Sequence, residues 1–129
     1  MALNILIVDD SSVMRSMIKK TLKIAQIPTG EIVQAANGKE GLEKLNNHWV
    51  DLVLADINMP VMNGEQMIGQ MKADPEMRDI PIIVVSTEGS ATRIERLKRM
   101  GVLFIQKPFS PELLRDSVVT LTGIKIDHE

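Results

Sequence analysis

Four short apolar runs alternate with helical patterns along this chain, and each run ends on polar residues. The runs cover residues 4–8, 52–55, 82–85 and 103–106, and they are followed by Asp9 and Asp10, by Asp56, by Ser86 and by Lys107. Short runs rich in Val and Ile, separated by helices, are typical of strands in a parallel sheet that is covered on both faces. The pattern therefore predicts buried strands with polar residues at their carboxyl ends.

Apolar residues at helical spacing fill the intervals between these runs. The first helix is predicted to begin near Ser11 and Ser12, which provide N-cap chemistry. Its apolar positions are Val13, Met14, Met17, Ile18 and Leu22. A further strand is expected over residues 31–35, and the strand that contains the run 52–55 is expected over about 51–56. The succession is (βα)5, which predicts an α/β fold, doubly wound in a three-layer sandwich.

The ends of the later helices are marked by residues that stop helical geometry. Asp74-Pro75 ends the third predicted helix, because proline disfavours helical geometry in the preceding residue. Gly101 is expected to cap the fourth helix, and Ser110-Pro111 to start the fifth. The periodicity fades near residue 123. We therefore expect a single domain over 1–129, with its core at about 4–122 and no output domain.

Composition narrows the classes of function. The 129 residues contain no Cys, which excludes thiol catalysis, disulfides and cysteine-based zinc sites. Fifteen basic residues against 17 acidic ones give a nearly neutral chain, whereas a nucleic-acid-binding protein is normally more basic. Neither a signal peptide nor an apolar stretch of about 20 residues occurs, so we expect a cytoplasmic protein with no membrane or nucleic-acid partner.

The polar residues at the strand ends are the candidate functional site. In open parallel sheets, ligands bind beyond the carboxyl ends of the strands. Three carboxylates in one pocket favour a bound cation, because two of them about 4 Å apart repel by roughly 4 kcal/mol at an effective dielectric constant near 20. Oxygen ligands favour Mg²⁺ or Mn²⁺. A cation, an ammonium group (Lys107) and a hydroxyl (Ser86) together suit the oxygens of a phosphoryl group, with a carboxylate as nucleophile.

Each of these residues also has an ordinary structural explanation when taken alone. An acidic pair can simply end a strand, a lysine can be a solvated surface residue, a serine can cap a turn, and an aspartate can begin one. Their shared placement at equivalent strand ends is what indicates a functional site.

Four segments of the chain resemble the motifs of receiver domains of two-component response regulators. They are residues 6–12 (Leu-Ile-Val-Asp-Asp-Ser-Ser), 56–64 (Asp-Ile-Asn-Met-Pro-Val-Met-Asn-Gly), 85–86 (Val-Ser) and 107–109 (Lys-Pro-Phe). Within that family the chain is most similar to stand-alone chemotaxis regulators, which share the Met14-Arg15 pair. The resemblance covers nearly the whole chain and implies a flavodoxin-like sheet with strand order 2-1-3-4-5.

The resemblance implies a role for each site residue. Asp56 is the expected phosphoacceptor, taking a phosphoryl group from a sensor histidine kinase. Asp10, Asp56 and the main-chain carbonyl of Asn58 are the expected direct ligands of Mg²⁺, and Asp9 is expected to act through water. Lys107 is expected to bind the phosphoryl group. Such a protein is a phosphoacceptor with self-phosphorylation and autodephosphorylation chemistry rather than an enzyme.

The resemblance also implies a switch. Ser86 is expected to move toward the phosphoryl group, and Phe104 to turn inward on activation. The surface of the fourth helix, fifth strand and fifth helix would then recruit a partner, such as a flagellar motor switch or a kinase complex, to a monomeric regulator. Asn58 and Glu88 are expected to tune hydrolysis and to give a short-lived phosphoryl group. The peptide bond between Lys107 and Pro108 is expected to be cis.

The chain departs from the family pattern at two places. Phe104 stands where tyrosine is typical of the chemotaxis members, and the stretch from Gly101 to Lys107 is one residue shorter than usual. In addition, the fourth helix is basic, with Arg93, Arg96, Lys98 and Arg99. That helix is either a solvated face or a docking site for an acidic partner or a kinase.

Other functions remain open from the sequence. A phosphorelay intermediate would pass its phosphoryl group to a histidine phosphotransferase docked on the first helix, with contributions from Met14, Met17 and Ile18. An aspartyl phosphatase is disfavoured, because Asn58 occupies the position two after Asp56 and cannot supply a proton as an acid. Neither of the glycine-rich nucleotide-binding motifs occurs.

Overall fold

Five strands and five helices alternate along residues 2–126 of the computed structural model, which is the part of the chain that the structure describes. The strands are β1 (Leu3–Val8), β2 (Thr29–Ala35), β3 (Leu52–Ala55), β4 (Ile82–Ser86) and β5 (Leu103–Gln106). The helices are α1 (Ser12–Ile24), α2 (Gly38–Asn47), α3 (Gly64–Ala73), α4 (Ala91–Arg99) and α5 (Pro111–Thr122). Met1 and residues 127–129, which the domain predicted over 1–129 includes, lie outside the described residues.

The strands form one parallel sheet in the order β2-β1-β3-β4-β5. This confirms the predicted doubly wound fold and its strand order. The side chains of β1 alternate between two cores: Leu6 and Val8 pack with residues of α3 and α4, whereas Ile5 and Ile7 pack with residues of α1 and α5. Helices cover both faces of the sheet, which is why the central strands β3 and β4 are almost entirely apolar.

The edge strand β2 is longer than its sequence predicted, because it begins at Thr29 and includes Gly30. A side chain at position 30 would collide with the side chain of Asn4 on β1. The Asn4 Oδ1 atom instead accepts a hydrogen bond from the backbone of Glu31 at 2.9 Å. The glycine therefore makes room for a side chain of the neighbouring strand. By contrast, β3 is shorter than predicted, because it covers residues 52–55 rather than about 51–56.

The apolar positions of α1 are divided between the core and the solvent. Ile18 and Leu22 are buried, and Met14 is partly buried. Val13 and Met17 are 73% and 54% exposed, so the predicted stripe of five is wider than the buried face. The suggested docking face on α1 is also wrong in one respect, because Ile18 belongs to the core.

Side-chain caps begin all five helices of the described chain. The cap residues are Ser11, Asn37, Asn63, Ser90 and Ser110, each of which accepts a hydrogen bond from a backbone amide. The complete capping box belongs to α3, where Asn63 and Gln66 bond reciprocally. Gly101 has a φ of +84°, which agrees with its predicted role after α4.

The core extends slightly beyond the predicted limits of 4–122, because Leu3 and Ile124 are both buried. Ile124 packs against the same face of the sheet as α1 and α5. The longest helix in residues 2–126 has 13 residues, and none of the helices there combines the length and apolarity that crossing a membrane requires.

Candidate functional site

An acidic cluster lies at the carboxyl ends of β1 and β3. One carboxylate oxygen each from Asp9, Asp10 and Asp56 lies within 4.8 Å of the other two. The parallel register of β1 and β3, which pairs Val8 with Ala55, brings these residues together. The backbone amide of Asp56 also donates to the carbonyl of Val8 at 2.9 Å. The sequence prediction that these carboxylates converge is confirmed geometrically.

Lys107 provides the positive charge of the cluster. Its Nζ atom lies 3.3 Å from Oδ2 of Asp9 and 3.5 Å from Oδ2 of Asp56. Its backbone amide donates to the carbonyl of Ser86 at 2.8 Å, so β4 and β5 deliver these two residues side by side. The peptide bond between Lys107 and Pro108 is cis, as the resemblance implied. The Lys107 ammonium group thus contacts two of the three carboxylates.

Asp9 and Asp10 differ sharply in exposure. Asp9 is 2% exposed, whereas Asp10 is exposed to solvent. Burial raises the pKa of Asp9, although the backbone amide of Ser11, at 2.9 Å from its Oδ1, and the Lys107 ammonium both lower it. The charge of Asp56 adds to the rise. The environment of Asp9 therefore disfavours its ionised form, and a bound cation would stabilise that form.

Arg15 on α1 holds the backbone of Asp9 at the end of β1. Its Nη1 atom donates to the backbone carbonyl of Asp9 at 2.6 Å, and its Nε atom donates to Oε1 of Gln34 on β2 at 3.0 Å. The sequence analysis noted Arg15 only as part of a motif. Its contacts show that it joins α1 to two strands behind the carboxylates.

The loop after Asp56 closes tightly on that residue. Oδ1 of Asp56 accepts from the amide of Ile57 at 2.7 Å, and the amide of Gly64 donates to the carbonyl of Ile57 at 2.8 Å. A side chain at position 64 would collide with the carbonyl oxygen of Asp56. Val61 has a φ of +68°, a conformation that β-branched residues rarely adopt. The first residue of α3 must therefore be small for this loop to close.

A second glycine borders the same loop. The amide of Gly38, at the start of α2, donates to the carbonyl of Met62 at 2.8 Å. A Cβ atom at position 38 would lie 2.8 Å from that same carbonyl oxygen. The first residues of α2 and α3 are therefore both glycines, and no side chain separates them from the loop.

Ser86 and Phe104 lie on the same face of the sheet. Ser86 is fully buried, and its Oγ accepts from the amide of Glu88 at 3.2 Å. In the parallel register Val84 pairs with Phe104, and side chains two residues apart on one strand share a face. Phe104 is half-buried against the core on the side of α3 and α4.

The stretch from Gly101 to Lys107, which is one residue shorter than usual in the family, leaves a very short loop before β5. Only Val102 lies between Gly101 and the first residue of β5.

Asn58 and Glu88 are joined by an arginine that the sequence analysis did not place in the site. Nη1 of Arg93 donates to Oδ1 of Asn58 at 3.1 Å and to Oε1 of Glu88 at 3.0 Å. The same guanidinium lies 3.7 Å from Oε1 of Glu65 on α3. In the sequence, the basic character of α4 is the only feature that points to Arg93.

Two arginines of α4 form ion pairs with Glu65 of α3. Nη2 of Arg96 donates to Oε1 of Glu65 at 2.9 Å. The hydrogen bond from Arg96 lowers the pKa of Glu65, and the charge of Arg93 contributes to the same effect. Glu65 therefore neutralises part of the positive charge of α4.

The comparison with protein families identifies the chain. Residues 5–119 match the response regulator receiver domain. The chain belongs to the response regulator receiver family. It is thus a signalling domain of two-component systems, and the resemblance stated from its motifs is confirmed.

Relatives and solved structures agree with this membership. The chain is 36% identical to the chemotaxis protein CheY1 of Helicobacter pylori strain J99, over 94% of this chain and 98% of that protein. It is 35% identical to a chemotaxis protein CheY homolog of Campylobacter jejuni, over 94% and 93%. The structure of Vibrio cholerae CheY4 matches with a TM-score of 0.81 at 31% identity, over 94% of this chain and 99% of that one.

The acidic cluster fits a divalent cation of the Mg²⁺ class. Its donors are carboxylate oxygens from two strand ends, and hard cations prefer oxygen ligands. Asp10 is exposed and leaves room for the water molecules that Mg²⁺ usually keeps. The raised pKa of Asp9 has the same implication, since a nearby cation would favour its charged form.

Proposed function

We propose that this receiver domain accepts a phosphoryl group on Asp56 from a phosphohistidine of a sensor histidine kinase, with Mg²⁺ at the acidic cluster. The observation that carries the proposal is the position of Lys107, whose Nζ reaches both Asp9 and Asp56 at the edge of the sheet. Asp10, Asp56 and the main-chain carbonyl of Asn58 would hold the ion, with Asp9 acting through water. Bound there, the ion would neutralise charge on the transferring group.

The two oxygens of Asp56 differ in the way this chemistry needs. Oδ1 is engaged by the amide of Ile57, which fixes the orientation of the carboxylate. Oδ2 faces Lys107 and is the candidate nucleophile. In the transfer, Oδ2 forms a bond to phosphorus while the bond from phosphorus to the kinase histidine breaks, and its electron pair stays on the histidine nitrogen. Lys107 then donates to a phosphoryl oxygen.

Phosphorylation would change the balance of charge at the site. It adds about −1.5 to −2 charges and three acceptor oxygens. Ser86, buried beside Lys107, provides the hydroxyl that would turn toward them, and Phe104 on the same face would move into the space released. The surface of α4, β5 and α5 would then favour a partner, such as a flagellar motor switch or a kinase complex. The names of the relatives support a role in chemotaxis.

Asn58 and Glu88 are the proposed determinants of the lifetime of the phosphoryl group. Asn58 lies two residues after Asp56, Glu88 lies two residues after Ser86, and both side chains carry acceptor oxygens that can orient a water molecule. We expect spontaneous hydrolysis to be fast, with a phosphoryl group that persists for far less than hours.

The first prediction concerns the phosphoacceptor. Incubation of the protein with acetyl phosphate and Mg²⁺ should add one phosphoryl group, and Asp56→Asn should abolish the gain because the nucleophilic carboxylate is lost. Intact mass spectrometry measures both. Asp79→Asn, at an exposed carboxylate outside the cluster, is the matched control and should be phosphorylated like the wild type. Uptake that persists in Asp56→Asn, or no uptake by the wild type, would contradict the proposal.

A further inference from the structure

Arg93 makes an unusual set of contacts for an arginine on an outer helix. A single nitrogen, Nη1, donates to the carboxamide oxygen of Asn58 and to a carboxylate oxygen of Glu88. Its Nε atom lies 3.7 Å from Glu65. The guanidinium thus joins α4 to α3, to the loop after β3 and to the loop after β4.

These contacts are partly shielded from solvent. The side chains of Arg93 and Glu88 are 25% and 19% exposed, whereas that of Arg96, one turn further along α4, is 56% exposed. Isolated ion pairs at the surface contribute little, but several charges that form a network contribute more. Glu88 is held a second time through its backbone amide, which donates to Ser86.

The geometry points to Arg93 as a positioning residue that sets the lifetime of the phosphoryl group, an inference that rests on the proposed phosphorylation of Asp56. The atoms that Arg93 engages are the acceptor oxygens of Asn58 and Glu88, the same oxygens that would orient an attacking water molecule. While the guanidinium holds them, they are less available to water. Arg93 therefore slows dephosphorylation by restraining the two residues that promote it.

The hydrolytic step shows where this restraint acts. The oxygen of a water molecule forms a bond to phosphorus, and the bond from phosphorus to the Asp56 oxygen breaks with its electron pair on the carboxylate. A proton of the water leaves to a nearby acceptor or to solvent, and inorganic phosphate is released. An acceptor oxygen that is free to receive a hydrogen bond from this water lowers the barrier. An oxygen that already accepts from Arg93 does so less effectively.

Arg93→Ala tests this inference directly. The wild type and the variant are phosphorylated with acetyl phosphate, the donor is removed in the presence of Mg²⁺, and phosphate release is followed with time. We expect hydrolysis about fivefold faster in Arg93→Ala, the scale of one lost hydrogen bond. An unchanged or slower rate would overturn the inference. Failure of the wild type to take up phosphate would instead count against the proposed function, so the two failures are distinguishable.

Two further variants separate positioning from charge. Arg96→Ala removes a cation from the same network without touching Asn58 or Glu88, and it should leave the rate unchanged. Arg93→Lys keeps the charge and the helix, but the shorter ammonium lacks the planar guanidinium. Its rate should lie between those of the wild type and Arg93→Ala. A wild-type rate in Arg93→Lys would show that charge alone suffices and would overturn the positioning role.

The decisive measurement uses the background in which both oxygens are absent. In Asn58→Ala/Glu88→Ala protein, the further change Arg93→Ala should no longer alter hydrolysis, because Arg93 acts through those two side chains. If the acceleration persists in that background, Arg93 acts on the site by another route and the inference fails. Thermal unfolding followed by circular dichroism confirms that each variant is folded.

Discussion

The two ends of the β-sheet both place aspartates beside strands, but they treat these charges in opposite ways. At the amino end, Asp51 accepts a hydrogen bond from the amide of Asn4 at 2.8 Å and another from the indole of Trp49 at 3.0 Å. The amide of Asp51 in turn donates to the carbonyl of Asn4. This carboxylate is satisfied by donors that the fold itself provides.

At the carboxyl end, three carboxylates share one ammonium group. Lys107 reaches Asp9 and Asp56, and Asp10 completes the cluster. Neutral donors also contribute there, from Ser11 and Ile57, but they leave excess negative charge. The two ends therefore differ in how their negative charge is compensated, although both contain aspartates. A carboxylate that neutral donors satisfy is structural, and a cluster that they leave charged is prepared for a cation.

The largest expected effect tests the structural end. Asp51→Ala should lower the free energy of unfolding by about 2 kcal/mol, because two donors lose a charged acceptor. Urea denaturation measures this change. Phosphorylation of Asp56 by acetyl phosphate should remain at the wild-type level in the folded variant. A stability unchanged from that of the wild type would show that the Asp51 contacts contribute little and would weaken the comparison.

The second largest expected effect tests Mg²⁺ binding at the carboxyl end of the sheet. Mg²⁺ at about ten times its Kd should raise the free energy of unfolding by about 1.4 kcal/mol, because the ion binds only the folded protein. Asp10→Asn should remove most of this gain, whereas Asp51→Ala should retain it. Denaturation with Mg²⁺ and with EDTA gives both values. Equal gains in the two variants would place the ion outside the acidic cluster.

The smallest effect concerns the buried member of the cluster. In EDTA, Asp9→Asn should raise the free energy of unfolding by about 1 kcal/mol, on the scale of partly solvated charge interactions. The reason is that burial, the largest influence on the pKa of Asp9, makes the ionised form unfavourable. Urea denaturation measures the difference from the wild type. A loss of stability would show that the pairing with Lys107 outweighs burial and repulsion.

The same substitution has a defined pH dependence. The pKa of Asp9 in the folded protein lies above its ordinary value of 3.8, so the folded state holds this proton more tightly than the unfolded chain does. The contribution of this group to stability is therefore largest at low pH, and it falls as pH rises from 3.8 through the folded pKa. The advantage of Asp9→Asn should grow over that range and then become constant. An advantage that does not change with pH would contradict the shift.

Much of the fold and the location of the site were predictable, because polar residues follow each apolar run at the carboxyl end of a buried strand. Asp9, Asp56, Ser86 and Lys107 all follow such ends, and parallel strands bring those ends to one edge. The burial of α1 was less predictable. Five apolar residues at helical spacing define a stripe, but the sequence does not say that the core accepts Ile18 and leaves Met17 exposed.

The contacts of Arg93 could not be predicted from the sequence. Arg93 is 35 positions from Asn58 and five from Glu88, and these residues lie on different elements of the chain. A long charged side chain on an outer helix has many conformations of similar free energy. The acceptors that the fold brings together around Arg93, on Asn58, Glu65 and Glu88, select one of them. The same basic sequence was equally consistent with a solvated face.

The two glycines beside the loop after Asp56 have a consequence for mutational scans of this family. Neither Gly38 nor Gly64 carries a reactive group, yet both positions lack space for a Cβ atom next to loop carbonyls. In a library screened for signalling, we expect substitutions at these glycines to be depleted as strongly as substitutions at Asp56, the proposed acceptor. Intolerance in such a map would therefore mark the backbone that shapes the site as well as the side chains that act in it. Direct assays of folding and phosphorylation would be needed to tell the two apart.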